Sequence, residues 1–220
     1  MGMFIVIWFA LGALVGSIPL GVLVAKLASG IDIRRYGTGN IGASNMLRNV
    51  GFAPAAVVGV GSFLQGFAPA WIADRMTHST MFVAAAGVGA VAGYGWSAFL
   101  RFHGGSAVGT ATGALAVFAP LGLIPLLAGY ALGGLVRHPA PFVLIGLVAY
   151  LVFAVVMLVA LPLVVAAAAI VCLVLLKRLD GVRDDIRRHP GRRLAIVRDR
   201  LIHDRRPGRR LQGPIPRHST

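Results

Sequence analysis

MFIVIWFALGALVGSIPLGVLVAKL, residues 3–27, carries a single charge, Lys26, close to its far end. An apolar run of this length is what an α-helix needs to cross a hydrocarbon core about 30 Å thick. Comparable runs follow at Phe52–Ala73, Met81–Leu100, Ala107–Ala119, Leu121–Val136, Pro141–Ala160 and Leu161–Leu176. Of the 220 residues, 57% are hydrophobic and 13% charged. A soluble domain of that size has too little interior to hide so much apolar surface. The expectation is an all-α polytopic membrane protein of about seven transmembrane helices. The divisions at Pro120, Pro125 and Pro162 leave six or five as other counts. The start of the chain lacks a basic segment before its apolar run, so it reads as a first spanning helix and not as a cleaved signal.

Charge then orients the chain, because Lys and Arg in short loops stay on the cytoplasmic side. Arg34, Arg35 and Arg48 follow the first span, with Lys26 at the membrane edge. Arg101 and His103 follow the third, and Arg137 and His138 the fifth. Only Arg75, beside Asp74, falls on the opposite side. The N-terminus is therefore expected outside and the C-terminus in the cytoplasm. From Lys177 onward fourteen Lys or Arg face five Asp, so +9 of the net +14 lies in the last 44 residues. The chain divides into a transmembrane domain, 1–178, and a basic cytoplasmic tail, 179–220. In that tail Leu194, Val197, Leu201 and Ile202 gather on one helical face among arginines, the pattern of an interfacial helix held to anionic lipid. No aromatic residues interleave the basic ones, so nucleic acid is not an expected partner. Arg34, Arg35, Arg137 and His138 read as topology and lipid contacts, and His78 and His218 as solvated loop residues.

Several chemistries are excluded by absence. The chain has no Glu and only two Lys, Lys26 and Lys177. Its one cysteine, Cys172, lies inside an apolar run and reads as a small packing residue. No carboxylate or histidine cluster has metal-ligand spacing, so neither a metal nor a cofactor is expected. The proposed spans contain almost no ionisable residues, which argues against a coupled transporter.

The chemistry is expected in the cytoplasmic loops. Asp32–Arg48 alternates glycines with small hydroxyl and amide side chains, flanked by arginines. Glycines permit sharp turns and close backbone approach. Successive N–H groups in such turns form anion-binding nests, and arginine adds a two-pronged phosphate donor. The stretch suits a small phosphorylated molecule at a membrane surface. A second segment, Phe102 to Thr110, carries Gly104-Gly105 where an apolar run begins, a place for N–H groups to meet a phosphate.

Gly16-Ser17-Ile18-Pro19 and the loop together resemble the bacterial acyl-phosphate glycerol-3-phosphate acyltransferases, the PlsY family. The family signature reads Gly-Ser-Gly-Asn-x-Gly-Ala-Thr-Asn-x-x-Arg. The chain has Gly37-Thr38-Gly39-Asn40-Ile41-Gly42-Ala43-Ser44-Asn45-Met46-Leu47-Arg48, and both changes keep a hydroxyl. Later signatures depart further. Asp-x-x-Lys-Gly stands here as Ser62-Phe63-Leu64-Gln65-Gly66, and Gly-His as Gly93-Tyr94. Phe-Lys-Gly-Gly-Lys-Gly-Val-Ala-Thr has become Phe102-His103-Gly104-Gly105-Ser106-Ala107-Val108-Gly109-Thr110. A final His, Asn and Glu correspond to the region from Lys177 to Pro190, where the Asn position is Gly181 and no Glu exists.

The resemblance implies transfer of a fatty acyl group from acyl phosphate to glycerol 3-phosphate, giving lysophosphatidic acid for phospholipid synthesis. The implied setting is the bacterial plasma membrane, with the active-site loops cytoplasmic and membrane lipids as neighbours. It implies catalytic roles for Thr38 and Arg48. Substrate binding falls to Gly37, Gly39, Asn40, Gly42, Ser44, Asn45, His103, Gly104, Gly105, Ser106 and Thr110. Asn40 and Asn45 would orient glycerol hydroxyls, and Gly104, Gly105 and Thr110 would hold the second phosphate. Loss of both loop lysines removes charge that two phosphates call for; Arg101, His103 and Arg178 are the cations placed to replace it in part. The alternative is a catalytically silent homologue that binds a phosphorylated ligand or lipid and regulates or scaffolds lipid synthesis.

Overall fold

Each apolar run folds as helix, and the first of them breaks. The computed structural model describes residues 1–136 and 139–180, together with Val182, Ile186, Arg187, Gly191 and Leu194. Nine α-helices occur among the described residues. They are α1 Gly2–Ser17, α2 Leu20–Ser29, α3 Ala43–Asn49, α4 Phe52–Thr77, α5 Thr80–Gly95, α6 Val108–Phe118, α7 Leu123–Leu135, α8 Pro139–Val156 and α9 Leu161–Leu179. Among the described residues, four stretches are long and apolar enough to cross a membrane: Gly2–Ser29, Phe52–Thr77, Thr80–Leu100 and Leu161–Leu179. Val108–Phe118, Pro120–Leu135 and Pro141–Val156 are apolar but shorter. Apart from Leu194, which is exposed, the interfacial helix expected around 193–205, with Arg137, His138 and His218, lies outside the described residues.

Large apolar side chains such as Phe4, Val6, Leu64, Ile124, Val152 and Leu176 face outward. The interior is rich in Ala, Gly and Val, with larger residues such as Leu115, Leu126, Leu147 and Tyr150 set among them. Lipid provides no hydrophobic drive for one helix to seek another, so association relies on close van der Waals approach. The α1–α5 contact shows this directly. Gly12 and Gly16 of α1 lie on the carbonyls of Ala86 and Ala90. Gly89 and Gly93 of α5 lie on those of Phe9 and Ala13, so each helix offers a pair of glycines four residues apart. The same device joins α4 to α6, with Gly66 on the Thr110 carbonyl and Gly113 on that of Phe63. Tyr150 of α8 donates to the Leu115 carbonyl at 2.8 Å and ties the α7–α8 hairpin to α6. Cys172 faces outward from α9 instead of filling the core; being small, it leaves the packed face to Val171 and Val174.

The break between α1 and α2 falls at Ile18-Pro19. Proline has no N–H to close the helical bond, which frees carbonyls of the preceding turn. Buried carbonyls need donors, and α4 supplies them through Gln65. Its Nε2 donates to Val15 and Ile18 oxygens, both at 2.9 Å, with Gly16 oxygen at 3.4 Å. Ser17 Oγ donates to Gly93 oxygen at 3.3 Å, and Ser97 Oγ donates to Ser17 oxygen. These bonds pin the broken helix against α4 and α5 and turn α2 toward the polar loop that follows.

Candidate active site

The first loop runs from the end of α2 to the start of α4. Gly30, with φ of 67°, ends α2 and returns its N–H to Lys26 oxygen. Asp32 then caps a single 3-10 turn, Ile33–Arg35, by accepting from Arg34 N at 3.1 Å. Its second oxygen meets Arg34 Nη2 at 2.7 Å. The guanidinium holds the Asp32 carboxyl below the usual carboxylate range, and the carboxylate raises Arg34 in turn. Ile33, fully buried, anchors the turn beneath.

Asn45 organises the rest of the loop. It is 2% exposed. Its Oδ1 accepts from Thr38 N at 2.9 Å and from Asn49 Nδ2 at 3.0 Å. Its Nδ2 donates to the oxygens of Asn40 at 2.8 Å, Tyr36 at 3.1 Å and Ile33 at 3.4 Å. The loop can close this tightly because Gly37 has φ of 57° and packs on the Asn45 and Asn49 amides, where no side chain has room. Asn45 was expected to orient a ligand's hydroxyls; the structure turns its amide inward to the loop. Thr38, Asn40 and Gly42 are half-buried, while Ser44 and Arg48 stand exposed one turn apart on α3.

Asn40 joins this loop to the second, which lies between α5 and α6. Its Oδ1 accepts from Gly42 N at 3.2 Å and from Ser106 N at 3.3 Å. Two segments more than sixty residues apart thus meet at one amide oxygen. The second loop is tightly wound: Arg101, Phe102 and Ala107 have φ of 51°, 62° and 58°, left-handed values uncommon for residues with a side chain. His103 is exposed, with Nδ1 2.7 Å from Arg101 oxygen. A carbonyl only accepts, so Nδ1 donates the proton of this hydrogen bond.

The N–H groups of Gly104 and Gly105 were expected to face a phosphate. In the structure they donate to Gly95 and Tyr94 oxygens, both at 3.1 Å, folding the loop back on the end of α5. Most first-loop N–H groups likewise serve the loop itself. The N–H groups that take no partner from the described residues include those of Ile41, Ala43 and Ser44 in the first loop and of Val108, Gly109 and Thr110 at the start of α6. Thr110 Oγ1 is fully buried and takes no partner either. The donor-rich place near the second loop is thus the first turn of α6, with its positive dipole end.

Of four further polar residues, Lys177, Thr112 and Tyr130 were not singled out from the sequence as site residues, and Arg178 was named only as a cation that replaces the lost lysines in part. Lys177 and Arg178 at the end of α9 are 5% and 6% exposed. Lys177 Nζ pairs with Asp180 at 2.8 Å and lies 5.1 Å from the Trp96 ring centre, beside the second loop. Thr112 of α6 shares a hydrogen bond with Tyr130 of α7 at 3.0 Å. Charges at the end of a spanning run are usually solvated, so burial of both α9 cations emerges only from packing. No group of metal-ligand type occurs among the described residues.

Residues 6–188 match the family model described as glycerol-3-phosphate acyltransferase. Curated relatives of that name include one from Rubrobacter xylanophilus, 41% identical over 51% of this chain and 57% of the relative. One from Bacillus subtilis is 42% identical over 57% of this chain and 65% of the relative. The match therefore spans somewhat under two thirds of these relatives' length. A crystal structure of PlsY (YgiH), an integral membrane glycerol 3-phosphate acyltransferase in its glycerol 3-phosphate form, is 28% identical. It superposes with a TM-score of 0.74 over 86% of this chain and 93% of that one. The lysophosphatidic acid form gives 27% and 0.72.

Proposed function

The chain belongs to the glycerol-3-phosphate acyltransferase family, and on that premise we propose that it transfers a fatty acyl group from acyl phosphate to glycerol 3-phosphate. The observation that carries the reading is the joining, at Asn40, of the loop that bears the family signature to the loop before α6.

The reaction asks little of acid or base side chains. A glycerol hydroxyl attacks the acyl carbon, the bond from that carbon to the phosphate oxygen breaks, and the departing phosphate takes the hydroxyl proton. The products are lysophosphatidic acid and phosphate. What the protein must supply is positioning of two anions and relief of their repulsion. Arg48, exposed on α3 beside Ser44, holds a substrate phosphate as a two-pronged donor. Thr38 and Asn40 orient reacting and glycerol oxygens, with Asn45 setting their positions from behind. The first turn of α6, with Thr110, receives the second phosphate, and His103 and Ser106 flank it. The acyl chain lies between helices, open to the bilayer.

The protein is all-helical and multi-pass. The finer reading has seven spans, an outside N-terminus and cytoplasmic loops in the plasma membrane, with residues 1–178 as the transmembrane unit and 179–220 as a basic lipid-contacting tail. The alternation of basic loops along the sequence supports it.

Protein purified in mild detergent is supplied with palmitoyl phosphate and glycerol 3-phosphate, and phosphate release is followed against a control lacking glycerol 3-phosphate. Release that depends on glycerol 3-phosphate is expected, and Arg48→Ala should lower it by about a hundredfold or more with the thermal midpoint unchanged. Unaltered turnover in that variant would sink the role given to Arg48, and no dependent release from folded wild-type protein would sink the acyltransfer reading.

A further inference from the structure

Tyr94 lies under the tightest part of the second loop. Its backbone oxygen takes the Gly105 N–H, and the next carbonyl, Gly95, takes that of Gly104. Its ring is pressed against Gly105: a β-carbon there would stand 2.6 Å from Tyr94 Cε1 and 2.9 Å from Asn40 Oδ1. Gly105 is thus wedged between the Tyr94 ring and the residue that joins the two loops.

The ring is held from the far side by α4. Ser62 Oγ donates to the Tyr94 hydroxyl at 3.3 Å, and the two residues are 5% and 3% exposed. Ser62 also backs the first turn of α6, since a β-carbon on Gly109 would lie 3.1 Å from Ser62 Cβ. One end of the pair therefore touches the loop at Gly105, and the other touches the helix start at Gly109. Between them lie Ser106 and the turn that carries the free N–H groups.

By the resemblance set out above, Ser62 and Tyr94 also stand where the family signature has Asp and His. The structure brings both departures into contact. A change on one side only would leave a buried ionisable group facing a neutral partner, which is costly away from water. Changed together, the two positions keep a hydrogen bond with no buried charge.

We propose that Ser62 and Tyr94 act as one positioning unit, a neutral hydroxyl pair that fixes the second loop and the start of α6 for the reaction. The proposal rests on reading that loop as part of the acyl-transfer site. Neither residue touches substrate in this role.

The test uses the full chain in detergent with three variants, Tyr94→Phe, Ser62→Ala and the double. Tyr94→Phe keeps the ring against Gly105 and removes only the hydroxyl, so the thermal midpoint should hardly move. Hydrogen–deuterium exchange is read on peptides covering 102–109, with peptides from α8 as the reference. Each single variant should speed exchange at 102–109 severalfold and lower kcat by about tenfold at little-changed KM. The double should be no worse than the worse single, the mark of a coupled pair. Tyr94→His alone, which sets an ionisable ring against a neutral hydroxyl, should not restore protection or kcat relative to Tyr94→Phe. Ser62→Asp should lose both, and Ser62→Asp with Tyr94→His should regain them. Unchanged exchange in the singles, or effects that simply multiply in the double, overturns the proposal. Wild-type protein without acyltransfer would remove the reading it rests on, while the exchange data would still decide whether the pair holds the loop.

Discussion

Asn45 and Arg48 sit one turn apart in the same short helix and do opposite things. Both are fixed members of the signature, and residue type alone does not separate a residue that builds the loop from one that uses it. Burial does. Asn45 spends both amide groups on five loop partners, whereas Arg48 is exposed. Asn45→Ala strips buried donors and acceptors of their partner and should cost about 3 kcal/mol, read as a fall in thermal midpoint together with loss of activity. Arg48→Ala should change turnover and not the midpoint, so the pair of variants tests the division of labour. At Asp32 the arrangement is electrostatic. Its folded pKa lies below the unfolded value because Arg34 faces it. Its contribution to stability is therefore present above the unfolded carboxylate pKa and lost as pH falls through the folded one. Asp32→Asn should reduce the acid dependence of the melting temperature in that low-pH window and have little effect on its slope near neutrality.

Among the helices, the decisive feature is close approach through glycine. The spacings Gly12 to Gly16 and Gly89 to Gly93 stand in the sequence, and small residues four apart in an apolar run are a known sign of helix contact. Nothing in either run says which helix it meets. The pairing of α1 with α5 depends on two surfaces being flat at the same depth. Leu at position 89 would drive its side chain into the Phe9 carbonyl; Gly89→Leu should destabilise by about 1–3 kcal/mol and broaden the size-exclusion profile. Gly134→Leu is the control, because nothing lies within 4 Å of that position, and it should leave both unchanged. The break at Pro19 was legible only in half. Proline marks where a helical bond must fail, but the donor that repairs it comes from Gln65, forty-six residues on.

Taken whole, the molecule builds its helix contacts largely from small residues and turns many large apolar side chains outward. Its polar loops 30–51 and 96–107 gather against each other, held there by α1, α4 and α5. That gathering gives the orientation a direct test. In a Cys172→Ser background, Arg35→Cys should react with a membrane-impermeant maleimide only when the cytoplasmic face is opened. His78→Cys should react in intact cells. The reverse pattern would invert the proposed topology.

Helix content, the approximate borders of the apolar runs and the first-loop signature were all readable from the chain, because each rests on local information: length, periodicity and residue type. Which groups face the ligand was not local. Gly104 and Gly105 look like phosphate donors in sequence, yet their N–H groups close on α5, and the free donors lie farther on at Val108–Thr110. Asn40 became the joint between two loops only once Ser106 was folded against it. Ser62, Gln65 and Tyr94 appeared along the chain as separate departures from a pattern. Packing makes Ser62 and Tyr94 a contact and Gln65 the seal of a broken helix, because a buried polar group must find its partner wherever the fold brings one.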